Sequence, residues 1–456
     1  MDWGQLQAEY MTGRHMHETY RQLLSSFERR DPEVEDRIAS GIHQHRQGWA
    51  RLQCVDSEGK AVRGARVSGR LARHDFLFGA NAFMLDGYDT PEKNEAYEQA
   101  FGGVLNSAVV PFFWSGLEPE PGKLRFAANS PKVYRRPAPD RVLEFCDKYD
   151  LTPKGHCLFW HSHLPEWLPQ NRAEALPYLR RRFQQIAERY GQRIKYWDVF
   201  NEPMEKRFMG HVQNLPEDCV YWAFNEAKAL FPAESRLILN EAQTGVWREY
   251  YGELSNFYLL VQNLVLRGMS PRGLGFQYHL FFFEDGDFSS AIKHLIGEKD
   301  LLLDPKRLLA VMDLYGRFGL PLNISEITLP TYQEVAGGEQ FQADLLRELY
   351  RLWFSHPQME AIYWWNLADG GAHGNEGKLQ GGLLDAELKP KLSYLVLKQL
   401  IQEEWTTRFE MEADREARFH GFYGRYEITT EYKGTVKTHV IHLDAKAQRD
   451  FTLKVA

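Results

Sequence analysis

The segment IKYWDVFNE, residues 194–202, is a short, mostly apolar run that ends in a carboxylate, and seven similar runs accompany it along the chain. Amphipathic helical patterns lie between many of these runs, for example at residues 140–149, 178–190 and 340–354. Eight alternating strand and helix units are typical of an α/β protein of the (β/α)8, or TIM, barrel type. The predicted strands cover residues 76–83, 106–113, 152–160, 194–202, 236–242, 274–280, 322–327 and 361–367.

A doubly wound open sheet is the alternative arrangement for alternating strands and helices. Such sheets usually carry a glycine-rich phosphate loop after the first strand. No loop of that kind follows residues 76–83. The sequence therefore favours the barrel, which we assign to residues 78–405 as the catalytic domain.

The two ends of the chain differ from this central region. Residues 1–45 are polar, carry charges at helical spacing and are predicted to form a helical segment. Residues 46–77 and 410–456 alternate apolar and polar residues, which is typical of half-buried hairpins. Because a lone hairpin is only marginally stable in water, we expect both segments to pair into one small β-sandwich-like accessory domain.

The composition argues against several classes of protein. The net charge of −7 does not suit nucleic-acid binding, which needs a basic surface. No run approaches the ~18 apolar residues of a transmembrane helix, and the four cysteines lack the CxxC spacing of a zinc finger. The first residues lack the apolar core of a signal peptide. We expect a cytoplasmic protein, or a secreted one if a leader has been removed, and its oligomeric state stays open.

Polar side chains cluster where the predicted strands end, which is where (β/α)8 barrels build their active sites. Glu202 ends the fourth run, and Glu326 lies near the end of the seventh. Glycoside hydrolysis needs two such carboxyl groups on either side of the cleaved bond, one as proton donor and one as nucleophile. Repulsion between two close anions keeps one of them protonated. Aromatic residues, 14% of the chain, would supply the flat apolar faces that sugars contact.

Four blocks near the predicted strand ends form a recognisable set: GHCLFWHSHLPEW (155–167), WDVFNEP (197–203), GFQYHL (275–280) and ISEITLP (324–330). In this order, with LEPEPGKLRF (117–126) ahead of them, they resemble glycoside hydrolase family 10, the xylanase family. The resemblance implies an endo-1,4-β-xylanase-like enzyme with a (β/α)8 barrel. It further implies a retaining double displacement on a β-linked plant-type oligo- or polysaccharide. No cofactor, metal, nucleic acid or membrane is implied, and the partner is the carbohydrate substrate.

The resemblance also implies roles for individual residues. Glu202 matches the acid/base, and Glu326 matches the nucleophile. Six further residues match substrate-binding positions, including the residue against the sugar 2-hydroxyl (Asn201), the histidine that orients the nucleophile (His279) and an aromatic platform (Trp365). The six are His161, Asn201, Gln277, His279, Trp365 and Trp167.

The segment before Trp114 departs from the family pattern. The family carries Glu-Asn and then Lys there, groups that hold the sugars ahead of the cleaved bond, whereas this chain has VVPFF (109–113). GGAHGNEG (370–377) stands where a second tryptophan is usual. His163 replaces a typical glutamine, and Tyr278 replaces a small residue. Xylan itself as substrate, and exo against endo action, therefore stay open.

Two other functions also stay open. His161 and His163, two residues apart at a strand end, would suit a metal pair, as in a barrel metallohydrolase. The lost sugar contacts and the added β-region would suit a non-catalytic carbohydrate-binding protein. As a separate alternative, Glu202 and Glu326 would be structural ion-pair partners. His156 carries no reliable signal of its own.

Overall fold

The computed structural model describes residues 18–205, 214–280, 294–331, 337–446 and 449–456. Its strands are β1 Gln47–Val55, β2 Arg63–His74, β3 Leu77–Asn81, β4 Ser107–Pro111, β5 Thr152–Phe159, β6 Tyr196–Asn201, β7 Arg236–Glu241, β8 Gly273–His279, β9 Leu322–Thr328, β10 Met359–Trp364, β11 Arg408–Asp414, β12 Glu416–Phe422, β13 Gly424–Tyr432, β14 Thr435–Leu443 and β15 Asp450–Lys454. Strands β3 to β10 form a closed parallel barrel in which β10 pairs with β3. The predicted barrel fold is confirmed.

Helices follow most of the barrel strands. Those in the described residues are α1 Glu18–Glu28, α2 Pro32–Arg46, α3 Pro91–Gly102, α4 Trp114–Leu117, α5 Pro139–Tyr149, α6 Arg172–Tyr190, α7 Cys219–Leu230, α8 Asn256–Leu266, α9 Lys299–Leu302, α10 Pro305–Gly316, α11 Gly338–Ser355 and α12 Leu392–Gln399. Helix α10 is an example of how the sequence defines the first turn of a helix. Asp304 accepts hydrogen bonds from the N–H groups of Lys306 and Arg307, and Pro305 occupies the first turn. None of these helices combines the length and apolar character of a membrane-spanning segment.

The apolar core lies mainly between the barrel strands and the surrounding helices. Trp197 of β6 is fully buried there, directly against Gly155 of β5. A Cβ atom on Gly155 would come within 2.2 Å of the indole ring, so this contact requires glycine. A smaller apolar cluster, which includes Phe83 and Phe113, joins β3, β4 and β10.

The two β-rich ends of the chain pair into one seven-stranded sheet, in the order β14-β13-β2-β11-β12-β1-β15. Strand β1 pairs antiparallel with β12 and parallel with β15, while β2 lies between β11 and β13. The sheet turns between β11 and β12, where Arg415 has a φ of 76°. Its two halves share an apolar core that includes Leu52, Val67, Phe419 and Leu453. The two ends pair in a sandwich-like unit, as expected, while the division into separate domains stays a prediction.

This accessory sheet contacts the barrel at the amino ends of the barrel strands. Arg73 of β2 donates hydrogen bonds to the carbonyl of Asn106 at 2.9 Å and to Thr152 Oγ1 at 2.6 Å. Asn106 precedes β4, and Thr152 begins β5. The sheet therefore lies away from the carboxyl ends of the strands, where barrel active sites form.

Candidate active site

The two glutamates singled out from the sequence meet at the carboxyl ends of β6 and β9. Glu202 directly follows Asn201, the last residue of β6, and Glu326 lies in β9. The backbone of Glu202 is left-handed, with a φ of 55°, which a residue other than glycine seldom adopts. Its N–H donates a 2.8 Å hydrogen bond to the carbonyl of Asn240. That bond fixes the turn by which the chain leaves β6.

A single amide bridges the two carboxyl groups. Gln277 Nε2, on β8, lies 2.9 Å from Glu202 Oε1 and 3.2 Å from Glu326 Oε1. Because one amide nitrogen lies within hydrogen-bond distance of both groups, these two oxygens lie close together across the mouth of the barrel. The arrangement agrees with the shorter separation of a retaining pair, about 5–5.5 Å.

Glu326 is held through both of its oxygens. Asn240 Nδ2 donates to Oε1 at 3.1 Å, and His279 Nε2 lies 3.2 Å from Oε2. His279 Nδ1 in turn lies 2.9 Å from Thr328 Oγ1, which fixes the ring. Asn240 Nδ2 also donates to Asn201 Oδ1 at 2.7 Å. Three of the expected substrate-binding residues (Asn201, Gln277 and His279) are thus brought into one network with the glutamate pair.

A buried charged cluster lies behind Glu326. Asp198 Oδ2 is 2.8 Å from Lys154 Nζ and 2.8 Å from His156 Nδ1. The Lys154 and Asp198 side chains are 1% and 0% exposed. His156 Nε2 lies 3.9 Å from Glu326 Oε1, so this cluster contacts the carboxyl group from inside the barrel.

Burial and nearby charges make the two glutamates different. Burial raises the pKa of Glu202 to about 8, and the negative charge of Glu326 adds to the rise. Burial also raises the pKa of Glu326, to about 7, but His156 and Lys154 oppose this rise. As pH increases, Glu326 therefore loses its proton before Glu202 does, which is the order that an acid and a nucleophile require.

Glu241 tethers the turn that follows Glu202. It ends β7, is fully buried, and accepts hydrogen bonds from the N–H groups of Met204 at 3.0 Å and Ala242 at 2.8 Å. Burial raises the pKa of Glu241 well above its usual range. Its contacts assign it a supporting position next to the pair.

Aromatic rings flank the glutamates. Trp160 Nε1 donates a 3.1 Å hydrogen bond to Glu202 Oε2, and the His163 ring stacks on Trp160 with centroids 4.3 Å apart. Burial, then the charge of Arg136, lowers the pKa of His163 to about 3, so its ring is neutral. Trp365 lies edge-on to His279, with ring centroids 6.1 Å apart, on the Glu326 side. Trp160 thus lies beside Glu202, and Trp365 contacts the histidine that holds Glu326.

Residues 114–400 match the family model described as glycosyl hydrolase family 10. The chain belongs to this family. The family inferred from the four blocks is therefore confirmed, and the match covers β5 to β10 together with the helices between them.

Several curated proteins are similar to this family 10 chain. Endo-1,4-beta-xylanase B of Thermotoga neapolitana is 25% identical over 65% of this chain and 80% of its own length. The anti-sigma-I factor RsgI6 of Acetivibrio thermocellus is 25% identical over 88% of this chain but only 47% of its own length. Endo-1,4-beta-xylanase 2 of Arabidopsis thaliana is 23% identical over 83% of this chain and 32% of its own length. The chain therefore spans less than half the length of the last two relatives.

Solved family 10 structures share the fold. Xylanase 10B from Thermotoga maritima is 20% identical with a TM-score of 0.56, over 72% of this chain and 96% of that chain. Xylanase 10B from Thermotoga petrophila, solved in complex with xylobiose, is 20% identical with a TM-score of 0.53, over 72% of this chain and 95% of that chain. At this level of identity the likeness shows the fold alone.

Two residues expected to bind substrate pack against other parts of the molecule. Trp167 Nε1 donates to the carbonyl of Glu118 at 2.8 Å, and its ring meets Trp114 edge-on. His161 is buried, with the ring of Phe200 at 6.5 Å. Their roles in substrate binding stay predictions.

Sequence reasoning missed His156 and Trp160, which do contact the glutamate pair. Both lie in the block GHCLFWHSHLPEW, so the signal was present. The block alone does not say which of its aromatic residues face the glutamates, because β5 has an irregular register between His156 and Phe159.

A metal pair at His161 and His163 was one alternative function that the sequence left open. Within the described ranges, one group of three side chains brings its ligand atoms close enough together to hold a metal ion. It consists of Asp75, His442 and Asp444, at the surface of the accessory sheet. His161 and His163 are not members of that group.

Proposed function

We propose that this family 10 protein is a retaining β-glycoside hydrolase that cleaves β-linked, xylan-type oligo- or polysaccharides. Glu202 is the acid/base, and Glu326 is the nucleophile. The observation that carries the proposal is the Gln277 amide, within hydrogen-bond distance of both carboxyl groups. A carbohydrate-binding protein has no need of two glutamates at this spacing.

In the first step, ionised Glu326 attacks the anomeric carbon of the sugar. The glycosidic C–O bond breaks as the bond to Glu326 forms, and Glu202 gives its proton to the leaving oxygen. Asn240 and His279 hold the attacking carboxylate in one orientation. Such fixed positioning replaces the reorganisation that the reaction would need in water.

In the second step, the roles of the two charges reverse. Glu326 is now a neutral ester, so its negative charge no longer raises the pKa of Glu202. Glu202, left as a carboxylate, takes a proton from water, and the water oxygen attacks the anomeric carbon. The bond to Glu326 breaks, and two successive inversions leave the sugar with its original configuration.

The xylan-type substrate is supported by the family and by the similar proteins named as endo-1,4-beta-xylanases. Trp365, beside His279, offers a ring on which a sugar could stack next to Glu326. The residues VVPFF (109–113) supply no polar side chain for the sugars ahead of the cleaved bond. Contacts on that side must therefore come from other residues.

Proton NMR of the products from xylo-oligosaccharides tests the proposal. We expect the β-anomer to appear first and to convert to the α-anomer only by slow mutarotation. Initial release of the α-anomer would contradict double displacement. If β-xylosides, β-glucosides and β-galactosides are all bound but none is hydrolysed, the carbohydrate-binding alternative is correct instead.

A further inference from the structure

Two consecutive arginines lie at the carboxyl ends of β3, β4 and β10. The guanidinium groups of Arg135 and Arg136 lie 5.7 Å and 5.6 Å from the ring centroid of Phe83, which follows β3. Arg136 also lies 3.9 Å over the ring of Phe113, which follows β4. Arg135 Nη1 donates a 2.9 Å hydrogen bond to Asn366 Oδ1, after β10. This is the side of the site on which VVPFF replaces the family's polar sugar contacts.

The arginine pair is close to the proposed catalytic glutamates. Arg136 Nη2 lies 3.4 Å from His163 Nε2. His163 stacks on Trp160, whose indole N–H donates to Glu202. Two stacked rings, His163 and Trp160, therefore connect the guanidinium group with the acid/base.

Neither arginine has a matching counter-charge in the part of the chain that the structure describes. Arg135 is only 5% exposed, and a buried guanidinium ordinarily needs a carboxylate or several carbonyl partners. Arg182 follows that rule, because it donates to three main-chain carbonyls. No carboxylate of the described residues lies within 4.0 Å of Arg135 or Arg136. Glu376 acts on both charges from farther away and accepts a hydrogen bond from Asn366.

Unused hydrogen-bond donors remain on both side chains. A guanidinium group has five N–H donors. Arg135 donates to Asn366, and Arg136 contacts the Arg135 carbonyl and His163. Each of their remaining nitrogen atoms has either a hydrogen-bond partner or some contact with solvent. The unused donors therefore keep some contact with the cleft, although Arg135 as a whole is only 5% exposed.

We propose that Arg135 and Arg136 bind the carboxylate of a uronic acid carried by the substrate, on the side of the cleft formed by β3, β4 and β10. This inference rests on the proposed function, since it names the substrate class of the same site. A planar guanidinium matches a carboxylate in a bidentate geometry, and such charge-assisted hydrogen bonds are roughly twice as strong as neutral ones. Neutral sugar hydroxyls would fill the donors but add no negative charge beside the two guanidinium groups.

The surroundings of the pair favour an anion. Burial, and then the positive charge of Arg135, lowers the pKa of Arg136 to about 10. A bound carboxylate would relieve this repulsion. The Arg136 guanidinium, which is planar by itself, lies 3.9 Å from the centroid of the Phe113 ring, and this cation–π contact helps to hold it in place before a ligand binds.

Calorimetric binding and kcat/KM are measured with a xylo-oligosaccharide that carries a glucuronic acid branch, and with the methyl ester of the same compound. The ester keeps the shape and removes the charge. We expect the wild-type protein to favour the acid by about 10- to 100-fold, the range for hydrogen bonds to a charged group. A second arm uses an oligosaccharide with a uronic acid at its non-reducing end, which separates a branch carboxylate from one in the main chain.

The Arg136→Gln variant should lose this preference, so that the acid and the ester bind about equally, and Arg136→Lys should keep part of it. Arg63→Gln, on the accessory sheet, is the matched control and should behave as wild type. Equal binding of acid and ester by the wild-type protein overturns the proposal, whether or not any variant folds. Tight, charge-dependent binding without turnover would overturn the proposed hydrolase function and leave the carboxylate site intact.

Discussion

Replacement of Glu202 by Gln separates proton donation from the rest of the reaction. The amide has nearly the same shape as the acid but has no proton to give at any accessible pH. General acid catalysis contributes about 10²–10⁴-fold, so kcat/KM for an unactivated xylo-oligosaccharide should fall by that factor. Dinitrophenolate leaves a dinitrophenyl glycoside without needing a proton. The kcat/KM for this glycoside should therefore fall less than about tenfold, while kcat falls because the second step has lost its base.

The pH profile supplies the second part of this test. In the wild-type protein, kcat/KM should rise as Glu326 ionises with a pKa of about 7 and fall as Glu202 ionises with a pKa of about 8. The falling limb should disappear in Glu202→Gln, because that limb reports loss of the Glu202 proton. Above that pKa the wild-type rate should drop tenfold per pH unit, whereas the variant's rate should stay level.

Initial rates for both substrates across a pH series, with azide as an added nucleophile, complete the assay. Azide needs no general base and should restore turnover of the dinitrophenyl glycoside, giving a β-glycosyl azide. Glu144→Gln, at an exposed position of α5, is the matched control and should leave every profile unchanged. A falling limb that persists in Glu202→Gln, or equal losses on both substrates, would refute the acid/base assignment.

Three further predictions concern stability. Gly155→Ala should lower the free energy of unfolding by about 1–3 kcal/mol in denaturant titrations, since the new Cβ would come within 2.2 Å of Trp197; an unchanged transition would mean that the ring can move aside. Asp198→Asn should cost roughly 3–5 kcal/mol, because it leaves the Lys154 ammonium buried without its anion; a loss below about 1 kcal/mol would argue against a charged cluster. Because the pKa values of Glu202 and Glu326 are raised from 4.5 to about 8 and about 7, the native protein holds protons that the unfolded chain releases. Their stabilising contribution is present below the unfolded pKa and is lost as pH rises through the folded values. Glu202→Gln should therefore gain stability relative to wild type between pH 5 and pH 8, by on the order of a few kcal/mol, and a constant difference between the two proteins would count against the raised pKa.

The barrel was predictable because its signal repeats. Eight apolar runs separated by amphipathic segments leave few alternative arrangements, and the observed strands β3 to β10 each overlap one of the predicted runs. The accessory sheet followed from alternation in both ends and from the instability of a lone hairpin. The bend at Arg415, which divides that sheet into two halves, has no comparable pattern in the sequence.

The site was predictable only in part. Glu202 and Glu326 stand out because a carboxylate at the end of a buried apolar strand must be paired, hydrogen-bonded or protonated. His156 has no such mark, and its place beside Asp198 and Glu326 depends on the local path of β5. Arg135 and Arg136 lie in a connection without periodicity, where only the fold brings them over Phe83 and Phe113.

The central claim is that Glu326 bonds covalently to the sugar while Glu202 handles the proton. It is tested most directly with a 2-deoxy-2-fluoro xylobioside that carries a dinitrophenyl leaving group, because the fluorine slows release of the sugar from the enzyme. After proteolysis, mass spectrometry should find the fluorosugar on the peptide that contains Glu326, with one equivalent bound per protein. A label on Glu202, Glu241 or any other carboxylate, or a dinitrophenolate burst without a covalent adduct, would contradict the account.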